Sequence, residues 1–196
     1  MARSPGALII FPSDAMRSRR SGVPLPSIDL HAVDELLEFR AFVNLGSPGA
    51  PPKYDGQRVG AALHNSCILM LSALLQGYVE DAFLDCARRC LRTLTNPEIA
   101  RAYQSTISRW GNPKPDNIER LCLRIGMTDL LSGLSWQGCS TKQVKRKLED
   151  LNKLRNQIAH RGYPDRPISL ATVRNYRDFV ERFAVRLAGR VSAMCP

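Results

Sequence analysis

The chain reads as a series of apolar stripes at helical spacing, interrupted by short clusters of proline and glycine. Leu30, Val33, Leu37 and Ala41 recur at steps of three and four and predict a first helix over 29–43. Segment 46–56 concentrates Pro and Gly and is expected to be a loop. From 58 to 94 breakers almost vanish, while Leu63, Cys67, Met70, Leu74, Tyr78 and further apolar residues continue in the same steps. A straight helix over that span would be about 55 Å long, so Gly77 is a point where it bends, packs closely or divides in two. Its middle, 67–75, is apolar on nearly every face, the signature of a central buried helix or an oligomer interface.

Capping chemistry divides the remainder. Asn96-Pro97-Glu98 starts a helix that ends near Trp110, and 111–115 is a turn. Asp116-x-x-Glu119 resembles a capping box for a short helix to Ile125, and Thr128 is placed to cap a further short turn through Leu134. Ser140-x-x-Gln143 opens a helix that runs to His160 and stops at Gly162. The last helix, 169–194, carries one stripe formed by Leu170, Val173, Tyr176, Val180, Phe183, Leu187 and Val191. No segment alternates like a strand, and no repeat is evident. The expectation is an all-α helical bundle over 29–196, preceded by an irregular basic arm over 1–28 rich in Pro, Gly and Arg.

Composition narrows the partners. The 196 residues suffice for one domain with a hydrophobic core, and 28 Lys and Arg against 18 Asp and Glu give a net charge of +10. That balance favours a polyanion, nucleic acid or an acidic membrane surface, without choosing between them. No run of 18 or more apolar residues occurs, so no membrane-spanning helix is expected. The six cysteines form no C-x-x-C pair and are read as buried or spare thiols of a cytosolic protein. Neither His31 nor His64 has companions at metal-ligand spacing, so both are assigned structural roles and no metal site is expected. No glycine-rich phosphate loop follows a strand, so no cofactor is expected. The amino-terminal apolar run is too short for a signal peptide. The basic, serine-containing stretch at 16–21 leaves a transit peptide open, with the cytoplasm the expected location.

One short string carries chemistry. On the helix ending at His160, Val144, Leu148, Leu151 and Ile158 form the core stripe, and Arg155 falls within it. A guanidinium there requires a partner: a carboxylate, a bound anion or another subunit. Asn156 and His160 are i,i+4 neighbours, whereas Arg155 and His160 flank one surface, about 140° apart and about 7.5 Å along the axis.

Arg155-Asn156-Gln157-Ile158-Ala159-His160 resembles the R-x4-x6-H motif of HEPN domains, with the favoured polar residue directly after the arginine. The apolar helix leading into 75–83, the block 111–119, and Gly126-Met-Thr-Asp-Leu-Leu before Trp136 are similar to the RiboL-PSP-HEPN branch. The similarity spans about 58–194 and leaves the first 57 residues outside. It implies a four- or five-helix up-and-down bundle that dimerises so that two motifs face each other. It also implies a metal-independent endoribonuclease of a toxin–antitoxin, defence or RNA-processing system. Carried onto this chain, Arg155 and His160 become the catalytic pair and Asn156 their polar support, orienting His160 by a hydrogen bond. The residue types suit that chemistry. Histidine titrates near neutrality and can exchange protons with the ribose 2′-hydroxyl and the leaving 5′-oxygen, while arginine offers forked, permanently charged donors to phosphate. The alternative is a catalytically inactive HEPN module that binds RNA or protein. RNA and a second copy of the chain are the implied partners, and a toxin would further require an antitoxin or immunity partner.

Around the motif, 153–196 holds nine basic residues against three acidic ones. Arg161, Arg174 and Arg177 are the expected RNA contacts, the other reading being a solvated face with Asp178 and Arg182 paired. Glu80, beside Asp81 on the long helix, is the chosen carboxylate partner of Arg155. Trp110 and Trp136 are expected as core or loop anchors. Tyr163, just past the cap, is expected to pack over the helix end, with base stacking as its other use.

Overall fold

The computed structural model describes residues 27–44, 53–54, 57–58, 60–107 and 110–194. The arm therefore lies outside the described residues up to position 26, as does Cys195. Among the described residues six α-helices follow in order: α1 (His31–Asn44), α2 (Ala61–Cys90), α3 (Pro97–Ile107), α4 (Pro115–Leu123), α5 (Thr141–Arg161) and α6 (Leu170–Met194). The expected all-α bundle is what forms. Within the region read as loop, strands β1 (Lys53–Tyr54) and β2 (Gln57–Arg58) pair antiparallel in a minimal ladder.

The long helix is one element rather than two. α2 runs unbroken through Gly77 for 30 residues, about 45 Å. It ends at Cys90, short of the expected 94, because Arg92–Thr95 tightens into a 3-10 turn. Among the described residues α2 is also the one helix long and apolar enough to cross a bilayer. Its apolar residues are instead spent on the domain core: Ile68, Leu71, Leu75 and Val79 are buried, and α1, α3, α4, α5 and α6 all pack on it.

Tertiary hydrogen bonds fix the directions of α1, α2, α5 and α6. The Tyr78 hydroxyl on α2 donates to the Ala184 carbonyl on α6 at 2.9 Å, and His64 meets the Ile168 carbonyl at 2.8 Å, so α2 and α6 run parallel. The Asn65 side-chain amide donates to the Gly162 carbonyl at 3.3 Å, which sets the end of α5 beside the start of α2 and makes that pair antiparallel. On the outer side, Arg177 of α6 grips Asp34, and Arg40 reaches His64, so α1 runs opposite to α2. The frame is an up-and-down four-helix arrangement of α1, α2, α5 and α6, with α3 and α4 inserted between α2 and α5. Phe183, Leu71, Leu75, Leu148, Leu151 and Leu187 fill its centre.

Two expected caps differ. α4 starts with Pro115 at its first turn and Lys114 as an N-cap without a side-chain bond, so Asp116 and Glu119 form no capping box. Glu119 points forward instead, accepting from the amides of Leu130 and Leu131 at 3.1 and 3.2 Å. That carboxylate holds 130–133 as a turn where Thr128 was expected to start its own. The α5 capping box forms as read, with Ser140 and Gln143 satisfying each other's amides, and Asn96 caps α3 by accepting from the Glu98 amide at 2.9 Å.

Candidate nuclease site

The motif occupies the last two turns of α5. Leu151 and Ile158 are buried in the core, and the helix phase lifts Arg155 and Asn156 to half-buried positions and His160 to an exposed one. Gly162 terminates the helix in the left-handed region at φ 80°, where a side chain would be strained, and its amide closes onto the Ile158 carbonyl at 2.8 Å. Asn65 bonds the Gly162 carbonyl, so the turn that carries His160 is fastened to the N-terminal part of α2.

The partner that Arg155 requires is Asn156. Arg155 donates Nη1 to Asn156 Oδ1 at 3.1 Å, and the same oxygen accepts from Asn112 Nδ2 at 3.2 Å. Asn112 is itself set by the turn before α4: Asn117 Nδ2 donates to the Asn112 carbonyl at 2.9 Å. Gly111 sits at φ 100°, where any other residue would be strained, and a Cβ there would also meet the Asn117 side-chain nitrogen at 2.9 Å. The block 111–119, expected as a turn and a helix start, thus delivers Asn112 onto the motif. No local signal marks Asn112 or Asn65 as site residues, because both act across the fold.

This geometry corrects the expected role of Asn156. Its carbonyl oxygen is occupied by Arg155 and Asn112, and among the described residues no hydrogen bond joins it to His160. Asn156 therefore aims the guanidinium rather than the imidazole. Glu80 does not join the site either: among the described residues it makes no ion pair or hydrogen bond with Arg155. The reason is register. Asn65 aligns with Gly162, and Arg155 lies seven residues before that level, which places it opposite about residue 72 of α2, roughly 12 Å short of Glu80.

The expected RNA contacts separate into different roles. Arg177 is a clamp between helices, not a free phosphate donor. Its Nε and Nη2 each reach Asp34 at 2.9 Å, and Nη1 reaches Glu181 at 2.6 Å. The Asp34 carboxylate pushes the guanidinium still further toward permanent charge. Arg161 pairs with Asp165, which Gln157 also engages, and this arginine holds the Asp165 carboxyl below its usual range. Arg174 is exposed and has no ion pair among the described residues. Tyr163 does not pack over the helix end. It is 63 % exposed, with the Arg161 guanidinium 5.8 Å from its ring centre. Asp178 pairs with Arg177 at 3.7 Å rather than with Arg182.

Trp110, Trp136 and His64 take the structural places expected of them. Trp110 is buried, and Trp136 packs on Phe179 with ring centres 5.9 Å apart. His64 is a structural histidine: Arg40 Nε donates to its Nε2 at 2.8 Å, leaving Nδ1–H for the Ile168 carbonyl. Burial holds this imidazole below its ordinary value, the Arg40 charge adding to the effect and the Ile168 carbonyl opposing it. Cys67, Cys122 and Cys139 are buried free thiols. No three or more His, Cys, Asp or Glu side chains among the described residues converge as a metal-ligand set.

The RiboL-PSP-HEPN profile matches residues 30–193. The chain belongs to the RiboL-PSP-HEPN family. No curated protein and no solved structure matches it significantly. The match reaches further forward than the motifs suggested, taking in α1, which was read as outside the resemblance. The structure supplies the reason: Leu30 and Val33 of α1 are buried in the common core, and Asp34 is locked to α6, so α1 is a wall of the HEPN domain. This HEPN membership associates the chain with RNA-related function.

Proposed function

We propose that this HEPN protein is a metal-independent endoribonuclease acting through a composite site in which two α5 motifs face each other across a two-fold axis. The observation that carries the reading is the pairing on one helix end of a surface-exposed imidazole, His160, with a guanidinium, Arg155, that Asn156 and Asn112 aim. In the proposed step one imidazole takes the proton of a ribose 2′-hydroxyl, whose oxygen then bonds to phosphorus. The bond from phosphorus to the 5′-oxygen breaks, and an imidazolium returns a proton to that leaving oxygen. Arg155 stabilises the charge that builds on the phosphorane oxygens. A single protomer offers one His160, and a second copy supplies the partner for the two proton transfers. The product carries a 2′,3′-cyclic phosphate. A cytoplasmic toxin–antitoxin or defence setting, with an antitoxin or immunity partner, suits an enzyme of this kind.

A second reading has its own observation. Asn156 spends its carbonyl oxygen on Arg155 and Asn112, and among the described residues no side chain hydrogen-bonds His160, which suits a HEPN module that binds RNA or protein without cutting. The two readings part on a substrate with a single 2′-deoxyribose at a mapped cleavage position. The nuclease leaves that position intact and cuts the all-ribose strand to a cyclic phosphate. Cutting of the deoxy strand at an equal rate, or a strictly monomeric protein by light scattering at micromolar concentration, would overturn the composite mechanism.

A further inference from the structure

Well away from the motif, the outer face of α6 and the loop between α4 and α5 enclose an open groove of about 850 Å³. Arg182, Arg186 and Arg190 line it at steps of four, and Trp136 forms part of the opposite wall. Successive arginines rise by about 6 Å, on the scale of the phosphate step in an extended single strand. Among the described residues none of the three makes an ion pair. The one carboxylate lining the groove, Glu181, is already bound by Arg177. Between the arginines, Val185 is 67 % exposed and Gly189 adds no side chain, leaving a shallow apolar floor beside the indole. Repeated free cations, one aromatic side chain and an apolar floor together match a chain that carries one anion per unit and a flat ring to stack.

We infer that this groove is a second binding site, for single-stranded RNA, with successive phosphates on Arg182, Arg186 and Arg190 and a base against Trp136. Arg186 lies sixteen residues along α6 from Leu170, about 24 Å from the end of the bundle where His160 sits. The groove therefore holds a stretch of RNA separate from the one at the motif. Its existence does not depend on whether His160 cuts.

The test uses the full-length protein and a fluorescently labelled 2′-O-methyl RNA 12-mer, which a 2′-hydroxyl-dependent nuclease cannot cleave, with affinity read by anisotropy across a salt series. The triple variant R182A/R186A/R190A is expected to lower the slope of log affinity against log salt by about two, from about 0.7 per single-strand phosphate contact. Trp136→Leu is expected to weaken binding about tenfold, with Trp136→Phe largely restoring it. Because Trp136 also supports Phe179, the exposed substitution Arg186→Glu serves as a second probe that leaves the core untouched, and circular dichroism melts accompany each variant. Unchanged affinity and salt slope in the folded triple and Arg186→Glu variants would overturn the proposal. So would displacement of the RNA by a glutamate 12-mer at equal concentration, which would mark the groove as a site for an acidic polypeptide. Loss of cleavage with this binding intact would instead count against the catalytic reading alone.

Discussion

Removing the Asn112 side chain isolates the long-range contact that the structure adds to the motif. Asn112 Nδ2 is one of two donors to Asn156 Oδ1, the other being Arg155 Nη1. In Asn112→Ala the oxygen keeps its charged donor, so no buried acceptor is orphaned and the loss is that of one ordinary hydrogen bond, about 1 kcal/mol. For a domain of this size that lowers the melting temperature by roughly 2–4 °C. The same energy, if it holds the Arg155 head in its productive position, corresponds to about a fivefold loss in kcat/KM. Asn156→Ala removes the shared acceptor and should cost more. Once it is gone, Asn112→Ala should add almost nothing, because its effect passes through Asn156. The assay is kcat/KM on a labelled RNA for the two single variants and the double, each checked by melting. Fully additive losses would refute the chain of support from Asn112 through Asn156 to Arg155. So would wild-type activity in Asn112→Ala.

The Arg177–Asp34 clamp should give a coupling of about 1–2 kcal/mol in a double-mutant cycle of Arg177→Gln and Asp34→Asn followed by urea unfolding. Zero coupling would mean that α1 is held by apolar packing alone. Gly162→Ala forces an alanine into the left-handed cap at φ 80° and should cost about 1 kcal/mol, visible in a denaturant midpoint, with activity falling as the His160 turn frays. Burial lowers the folded pKa of His64 below the unfolded value of about 6.5. Between those two values the unfolded chain binds the extra proton. Stability from this group is therefore complete above about pH 6.5 and declines as the pH falls toward the folded value. His64→Gln should flatten that part of the melting-temperature profile between pH 8 and 5, and an identical slope in the variant would count against it.

What the sequence made legible was mostly local. The Ser140–Gln143 box and Gly162 delimit α5 because both caps act within a few residues of the helix they close. The 3.6-residue stripe of α6 likewise names its own buried face: Val173, Val180, Phe183, Leu187 and Val191 are all in the core. Relations between helices were not legible. Glu80 was matched to Arg155 on charge, yet the axial register set by Asn65 and Gly162 keeps them on different levels. Arg177 looked like one more exposed arginine until α1 was seen beside α6. Glu119 fitted a local capping pattern and instead serves amides eleven and twelve residues away. Asn112 carried no signal of its own, since only the packing of the α4 turn against α5 makes it a neighbour of Asn156.

The central claim, that Arg155 and His160 cut RNA, is tested most directly by incubating end-labelled RNA in EDTA with wild-type protein, His160→Ala and Arg155→Ala purified side by side. The wild type should cut the RNA, leaving 2′,3′-cyclic phosphate termini, and both variants should lose at least about 100-fold in rate. Equal cleavage by all three proteins, or a wild type that retains RNA without cutting it, would contradict that claim.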